Sequence, residues 1–206
     1  MRSALVAFTE AVDGDMRADP SARERLSDGL GVARAWATVD QVHGSDIIEV
    51  TAPGSHGPAD GLFTTCSDLP LAVFTADCIG VVIEGVGAVG VAHAGWRGAA
   101  EGVVPALVKR FRDGGHEILR AVIGPHIRSC CFEVGDDVAL RFPGHVTATS
   151  WGTRSVDLAA VVEEQLEGVD VVDFAACTRH EEGWFSHRRD AGSSRLAALV
   201  VGAADG

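Results

Sequence analysis

The sequence lacks the features that mark membrane and secreted proteins. No uninterrupted apolar stretch approaches the roughly 20 residues that a membrane helix needs, and the apolar run at 4–8 is only five residues long, too short for the core of a signal peptide. Basic residues are also scarce. The 17 Lys and Arg face 29 Asp and Glu, and the formal charge of −12 repels nucleic acid and acidic membrane surfaces. We therefore expect a cytoplasmic protein that binds neither nucleic acid nor membrane.

Tyrosine is missing altogether, so no phenolic hydroxyl is available to a binding site. Cysteine occurs in an odd number, and the sequence has no CxxC or HExxH pair. A disulfide framework is therefore not expected. Each cysteine is then either a small buried apolar residue or a ligand or nucleophile. The five positions are Cys66, Cys78, Cys130, Cys131 and Cys177.

Length and patterning predict one domain, 1–206, with a packed core, since 206 residues with 47% apolar and 22% charged residues are typical of a globular chain. The runs 71–76, 79–85 and 87–94 are apolar at most positions, which is typical of strands buried on both faces, and we expect them to form the core sheet. Asp157 is a predicted helix N-cap, and Pro105 would kink a helix unless that helix begins within a turn of it. Further predicted elements are helices at 20–31, from about 98 to Arg112 and at 157–166, strands at 37–42, 46–50, 119–123, 169–172 and 196–201, and a loop at 51–61.

Three residues stand out as a metal-binding set: His43 in QVHG, Cys78 in TADC and His93 in AHAGWRG. One thiolate and two neutral imidazoles suit a catalytic zinc ion, because they leave a fourth position for water or substrate. The residues lie 35 and 15 positions apart, so spacing alone leaves an alternative open. In that alternative Cys78 is simply buried between strands and both histidines are hydrogen-bonded turn residues.

The same segments carry a family resemblance. QVHG, TADC, AHAGWRG, GPHIRSCCFEVG (124–135) and FSHRRD (185–190) occur in this order, and the chain resembles the YfiH-type family, known as polyphenol oxidases or laccase-domain proteins and also as purine nucleoside phosphorylases. The resemblance implies a mixed α/β (α+β) fold, a single domain with a β-sandwich-like core flanked by helices. It also implies that His43, Cys78 and His93 bind zinc.

The activity implied by the resemblance is phosphorolysis of adenosine, inosine, guanosine and methylthioadenosine, which releases the base and ribose 1-phosphate, with adenosine deamination alongside. The partners are then a purine nucleoside and phosphate, and the protein is a monomer or weak homodimer. Phosphate favours arginine, whose planar guanidinium gives paired donors, and Arg97 and Arg188 are the leading motif arginines. Each could equally be a surface or ion-paired residue.

Other motif residues are predicted to take part in the site. Cys78, Asp77 and Arg97 are assigned to catalysis, and Gln41 and His187 join the two arginines in substrate binding. Asp77 could orient a ligand histidine, accept a proton, or only form a turn at a strand end. Cys130 and Cys131 are adjacent, so in a strand at most one of them would face the pocket.

Three alternative functions remain open from the residues. Cys78 could be the nucleophile of a hydrolase or amidase with His93 as its base, a class linked to editing of peptidoglycan precursors. Zinc could serve only to stabilise the fold of an accessory protein. Copper could replace zinc and support phenol oxidation, although a multicopper enzyme needs several histidine-rich clusters.

The sequence also departs from the family pattern. Phe132 stands where tyrosine is common, the segment 190–195 replaces a usual Thr-Gly-Arg ending, and the N-terminal segment is short, so part of one substrate wall is expected to be missing. These departures affect the expected substrate preference more than metal binding.

Overall fold

The computed structural model describes residues 3–203, which form thirteen strands and six α-helices within that range. No helix among these residues is long and apolar enough to cross a membrane. The helices are α1 (Pro20–Leu30), α2 (Trp96–Glu101), α3 (Val103–Asp113), α4 (Asp136–Ala139), α5 (Leu158–Gln165) and α6 (His187–Asp190). The strands are β1 (Leu5–Phe8), β2 (Ala37–Asp40), β3 (Ile47–Glu49), β4 (Gly54–Pro58), β5 (Gly61–Thr64), β6 (Leu71–Thr75), β7 (Ile79–Gly85), β8 (Ala88–Ala94), β9 (Ile118–Ile123), β10 (Val146–Ala148), β11 (Arg154–Val156), β12 (Val171–Asp173) and β13 (Leu196–Val201).

Two sheets pack face to face at the centre of the molecule. One has five strands in the order β1-β13-β6-β2-β4, and the other has six in the order β12-β9-β7-β8-β5-β3. Their facing sides meet in one apolar cluster, to which Val73 and Val200 contribute from the first sheet and Val82 and Val91 from the second. Both sheets contain parallel and antiparallel pairs. The central strands are apolar at most positions, as expected for strands that are packed on both faces.

Helices cover the outer faces of the two sheets. Helix α1 packs on the five-stranded sheet through a cluster that includes Phe74 and Leu199. Helices α3 and α5 contribute to the largest cluster, on the outer face of the six-stranded sheet, where Leu107 and Phe111 are fully buried with Ile83. This arrangement confirms the predicted mixed α/β fold with a β-sandwich-like core between helices.

The local predictions are confirmed for the long apolar runs, but not for how the strands assemble. Helix α1 begins at Pro20, and Gly31 ends it in the left-handed conformation that glycine favours. Strands β6, β7 and β8 occur as expected, yet β6 belongs to one sheet while β7 and β8 belong to the other, so the prediction of one core sheet was wrong. The predicted loop at 51–61 contains strand β4, which pairs with β2 and forms one edge of the five-stranded sheet.

Gly102 resolves the difficulty raised by Pro105. The glycine adopts a left-handed conformation that ends α2 and at once begins α3. Pro105 is then the third residue of α3, where no hydrogen bond from its nitrogen is required. The long predicted helix is therefore two helices, and the proline lies within the first turn of the second.

Asp157 caps α5 as predicted, since its carboxylate accepts a hydrogen bond from Ala160 N at 3.2 Å. We expect Asp157→Ala to lower the free energy of unfolding by about 1 kcal/mol, because the first turn loses its side-chain acceptor. Urea denaturation followed by circular dichroism measures the change. Asp157→Ser is the matched control and should retain most of the stability. Equal midpoints for the alanine variant and the wild type would contradict the assignment.

Candidate metal centre

Two loops and one strand end bring His43, Cys78 and His93 together. His43 lies between β2 and β3, Cys78 directly precedes β7, and His93 is the penultimate residue of β8. Strands β7 and β8 are antiparallel with Ile79 opposite Ala94, which places Cys78 beside the end of β8. One potential ligand atom of each residue lies within 4.8 Å of the others. The three residues predicted from the sequence therefore do converge on one place.

Asp60, which is not among the predicted site residues, supports this centre from its buried side. It is fully buried directly before β5, and its carboxylate lies 2.8 Å from His93 Nδ1. The same carboxylate accepts hydrogen bonds from the backbone N–H groups of Val42, His43 and Gly44 at 3.1, 3.0 and 2.6 Å. One side chain thus fixes a ligand ring and the loop that carries another ligand. Its engagement of Nδ1 leaves Nε2 of His93 as the nitrogen available to a metal ion.

The loop that carries His43 is also constrained at its other end. His43 has a φ of 62°, a left-handed conformation uncommon for a residue with a side chain. Gln41 uses both ends of its amide on Phe74, accepting from the backbone N–H and donating to the carbonyl oxygen, each at 2.8 Å. Gln41 therefore ties the loop to β6. Its predicted contact with substrate stays a prediction.

The charges of Cys78, His93 and Asp60 depend strongly on one another. Burial raises the pKa of the Cys78 thiol, but the neighbouring His93 charge and hydrogen bonds from both histidines outweigh it and lower the pKa to about 6. Burial lowers the pKa of His93, but the Cys78 thiolate and Asp60 outweigh it and raise the pKa to about 9. Burial raises the pKa of Asp60 as well, yet the hydrogen bonds from His93 and Gly44 keep it below its usual value. Cys78 is thus a thiolate at neutral pH.

The donor set fits a zinc ion. One thiolate sulfur and two imidazole nitrogens are ligands that zinc accepts, and three protein ligands are the number found in catalytic zinc sites. Burial is graded across the centre, since His93 is buried, Cys78 half-buried and His43 exposed. Exposure of His43 leaves the side of the centre nearest to it open to solvent.

Gly95 has no side chain, and the side chains of His43 and Cys78 lie close to the space that one would occupy. A Cβ atom added at this position would lie 3.0 Å from His43 Cδ2 and 3.1 Å from Cys78 Sγ. We expect Gly95→Ala to displace both ligands by a few tenths of an ångström and to weaken zinc binding by about 10-fold, because metal ligands tolerate little misplacement. Competition with a chromophoric chelator measures the affinity.

Gly29→Ala is the matched control for this change. No described atom lies within 4 Å of a Cβ added at Gly29, which is the penultimate residue of α1. Alanine there should leave zinc affinity unchanged and should not destabilise the helix. If Gly95→Ala and the control bind zinc with equal affinity, the close approach of His43 and Cys78 to position 95 does not limit zinc binding.

Asp77 links the centre to the C-terminal part of the chain. Its carboxylate accepts hydrogen bonds from Thr178 Oγ1 at 2.7 Å and from Arg188 N at 2.6 Å, and its backbone oxygen accepts from Ile127 N at 2.9 Å. The residue is buried and has a φ of 83°, so it also forms the turn before Cys78. These contacts hold two loops beside the metal ligand. The predicted proton-accepting role stays a prediction.

The predicted substrate-binding side chains lie on the exposed side of these elements. Arg97 is exposed, and its guanidinium carbon lies 4.3 Å from the centre of the Trp96 ring. Arg188 is exposed, lies 5.5 Å from the centre of the Phe132 ring and donates to Glu133 O at 2.8 Å. His187 is exposed and lies 3.3 Å from Gly192 O. Their roles in binding stay predictions.

A second group of metal-binding side chains lies outside this centre. Cys130, Cys131 and Cys177 place their sulfur atoms within 4.8 Å of one another. Cys130 and Cys131 lie in a turn rather than a strand, and their sulfurs are 3.5 Å apart. The alternation that turns adjacent side chains to opposite faces applies to extended backbone and not to this turn. The expectation that at most one of the two cysteines faces the pocket stays a prediction.

The fold and the centre define a known family. A family model described as "Multi-copper polyphenol oxidoreductase laccase" matches residues 9–203, and the chain belongs to this family. The family resemblance predicted from the five motifs is confirmed.

Particular relatives are named for a different chemistry. A purine nucleoside phosphorylase of Streptomyces coelicolor is 39% identical over 207 positions, which cover 92% of this chain and 85% of that relative. The purine nucleoside phosphorylase YlmD of Geobacillus stearothermophilus is 34% identical, with 91% of this chain and 80% of the relative covered. Two solved structures are also similar. YlmD from the same organism has a TM-score of 0.85 at 30% identity, covering 98% of this chain and 92% of that one. The Bacillus licheniformis hypothetical protein YfiH has a TM-score of 0.86 at 26% identity, covering 97% and 92%.

Proposed function

We propose that the protein is a zinc-dependent purine nucleoside phosphorylase that acts on adenosine, inosine, guanosine and methylthioadenosine. The observation that carries the proposal is the convergence of His43, Cys78 and His93 on one another, supported by the Asp60 carboxylate, which contacts His93 Nδ1 and the backbone N–H of His43. The relatives of the chain are named purine nucleoside phosphorylases. Deamination of adenosine is a second reaction of the same site in this proposal.

Zinc is the ion that the ligands support best. A thiolate with two imidazoles is a borderline-soft donor set, and copper is the alternative because its affinity for nitrogen and sulfur ligands is higher. When bound, zinc would supply a Lewis acid that polarises an oxygen of the substrate or lowers the pKa of a bound water. A multicopper phenol oxidase would need several histidine-rich groups, and residues 3–203 bring together one metal group that contains histidine.

The surrounding side chains supply binding and orientation. Arg97 and Arg188 are exposed cations on elements that adjoin the ligands, and each offers paired donors for phosphate. Val42 is 58% exposed next to His43, and Trp96 is half-buried at the start of α2, so each is an apolar side chain that could contact a purine ring. The surface of the protein is acidic overall, so a local pair of arginines is needed to attract phosphate.

The decisive experiment is release of base from adenosine by the zinc-loaded protein. We expect adenine and ribose 1-phosphate in equal amounts when phosphate is present, and no release when phosphate is omitted. Chromatography of the products also separates adenine from inosine and hypoxanthine, which reports deamination directly. Release of free ribose without phosphate would identify a hydrolase and overturn the proposal.

A cysteine hydrolase or amidase acting on peptidoglycan precursors is the second candidate. It is favoured by the chain of contacts from Asp60 to His93 and by the thiolate of Cys78, which match an oriented base beside an activated nucleophile. The two candidates differ in the role of the sulfur. A phosphorylase needs Cys78 bound to zinc, so zinc should protect it from iodoacetamide, whereas the hydrolase should be inactivated by alkylation and active without metal.

A further inference from the structure

The three-cysteine group is a second centre that the proposed phosphorylase chemistry does not use. Cys130 Sγ lies 3.5 Å from Cys131 Sγ and 3.8 Å from Cys177 Sγ. These separations exceed the roughly 2.05 Å of a disulfide bond, and all three thiols are free. The group shares no residue with the first centre.

Backbone contacts hold the three sulfur atoms in place. The turn that carries Cys130 and Cys131 is fixed by Ser155, whose hydroxyl contacts the carbonyl oxygens of Ser129 at 2.7 Å and Phe132 at 2.8 Å. Cys130 O accepts from Ser150 N at 2.9 Å. The group is therefore preorganised on the Cys130 side, since its turn is fixed on both flanks.

Cys177 is brought to this turn by a separate segment. Its backbone N–H donates to Glu181 Oε1 at 2.8 Å, and its sulfur accepts from Arg128 N at 3.5 Å. A bridge between His126 and Cys177 joins the two segments at the backbone level. An ion pair between Arg128 and Asp173 adds a second link beside the cluster. Three sulfurs from two segments are thus positioned without any covalent bond between them.

The chemistry of the cluster selects a soft monovalent ion. Thiolate sulfur is a ligand for copper(I), zinc and iron–sulfur clusters, and iron–sulfur clusters are typically held by four protein ligands. Zinc in an all-protein site takes four ligands, and the group among residues 3–203 supplies three. We propose that Cys130, Cys131 and Cys177 form a binding site for copper(I), separate from the centre of His43, Cys78 and His93.

Access and charge are consistent with this site. Cys130 is half-buried while Cys131 and Cys177 are buried, so an ion reaches the group from the Cys130 side. Copper(I) binding exchanges thiol protons for the metal and releases them to solvent, and no oxidant or reductant is consumed. The N–H of Arg128 donates toward the cluster sulfur and offsets part of the negative charge.

Anaerobic titration with copper(I) against the chelator bicinchoninate tests the proposal in the full chain. Copper(I) also binds the first centre, so the measurement is made in Cys78→Ser protein. We expect one tightly bound equivalent there and none in Cys78→Ser/Cys130→Ser. Cys78→Ser/Cys66→Ser is the matched control and should keep the equivalent, since Cys66 lies outside the cluster. Cys177→Ser in place of Cys130→Ser provides a second test if one variant folds poorly.

X-ray absorption at the copper edge identifies the ligands. Three sulfur neighbours and no nitrogen support the site, whereas nitrogen neighbours would assign the copper to histidine and overturn it. Equal copper(I) binding with and without Cys130 would show that the three thiols only pack as small apolar side chains. Neither readout depends on nucleoside turnover, so the outcome is independent of the proposed function.

Discussion

We expect the Cys78→Ser protein to lose zinc binding and the proposed purine-releasing activity together. Serine has nearly the same shape, but its hydroxyl stays protonated at neutral pH, whereas the environment of Cys78 holds its pKa at about 6. Removal of an outer partner of a metal ligand already costs about 10- to 100-fold in affinity. Loss of the one anionic ligand of the centre should therefore weaken zinc binding by more than about 100-fold.

Metal analysis after dialysis and base release from adenosine with phosphate are measured on the same samples. Cys66→Ser is the matched control, because Cys66 is a half-buried cysteine that does not belong to the centre, and it should keep both zinc and activity. A Cys78→Ser protein that retains stoichiometric zinc would remove Cys78 from the ligand set. A variant without zinc that still released base would separate the metal from the chemistry.

Asp60→Asn should weaken both the metal centre and the fold. The carboxylate accepts from three backbone N–H groups and from His93, and asparagine replaces one acceptor oxygen with an NH₂ donor. Unsatisfied buried donors cost about 1–3 kcal/mol each, so we expect a loss of about 2–4 kcal/mol in the free energy of unfolding. Zinc affinity should fall by about 10- to 100-fold, because the ring of His93 is no longer oriented.

Urea denaturation of the metal-free protein measures the loss of stability alone, which should persist without zinc. Competition with a chelator measures the zinc affinity. Asp46→Asn is the control, because Asp46 is an exposed acidic residue of the loop that carries His43. It contacts Asp60 through its backbone oxygen, which the substitution leaves in place, so the charge changes equally while the hydrogen bonds of the Asp60 carboxylate are kept. An unchanged zinc affinity in a stably folded Asp60→Asn protein would show that His93 is positioned by packing alone.

The three candidate metal ligands were predictable, whereas the residue that supports them was not. His43, Cys78 and His93 lie in short motifs that stand out in a single sequence, and the structure brings them together. Asp60 lies in a segment rich in glycine and proline, where an aspartate usually forms a turn. Its one available signal is its place directly before the apolar strand β5, which buries it. Its partners are 16 to 33 positions away and become visible only in the folded chain.

The fold was predictable at the level of elements and less so at the level of sheets. Apolar runs identify β6, β7 and β8, but a strand buried on both faces has no alternation that tells which sheet it joins. The short strands β4 and β10 are exposed at most positions and depend on pairing with a neighbour rather than on burial. Such elements follow from tertiary structure and leave little trace in local sequence.

In the hairpin of β7 and β8, the relative position of Cys78 and His93 depends on the length of a distant turn. Cys78 and His93 sit at its open end, while Val86 and Gly87 close it at the other, about 20 Å away for strands of this length. One residue added to or removed from that turn would slide β8 against β7 and send the His93 side chain to the opposite face of the sheet. The length of this two-residue turn therefore sets the position of His93 relative to Cys78.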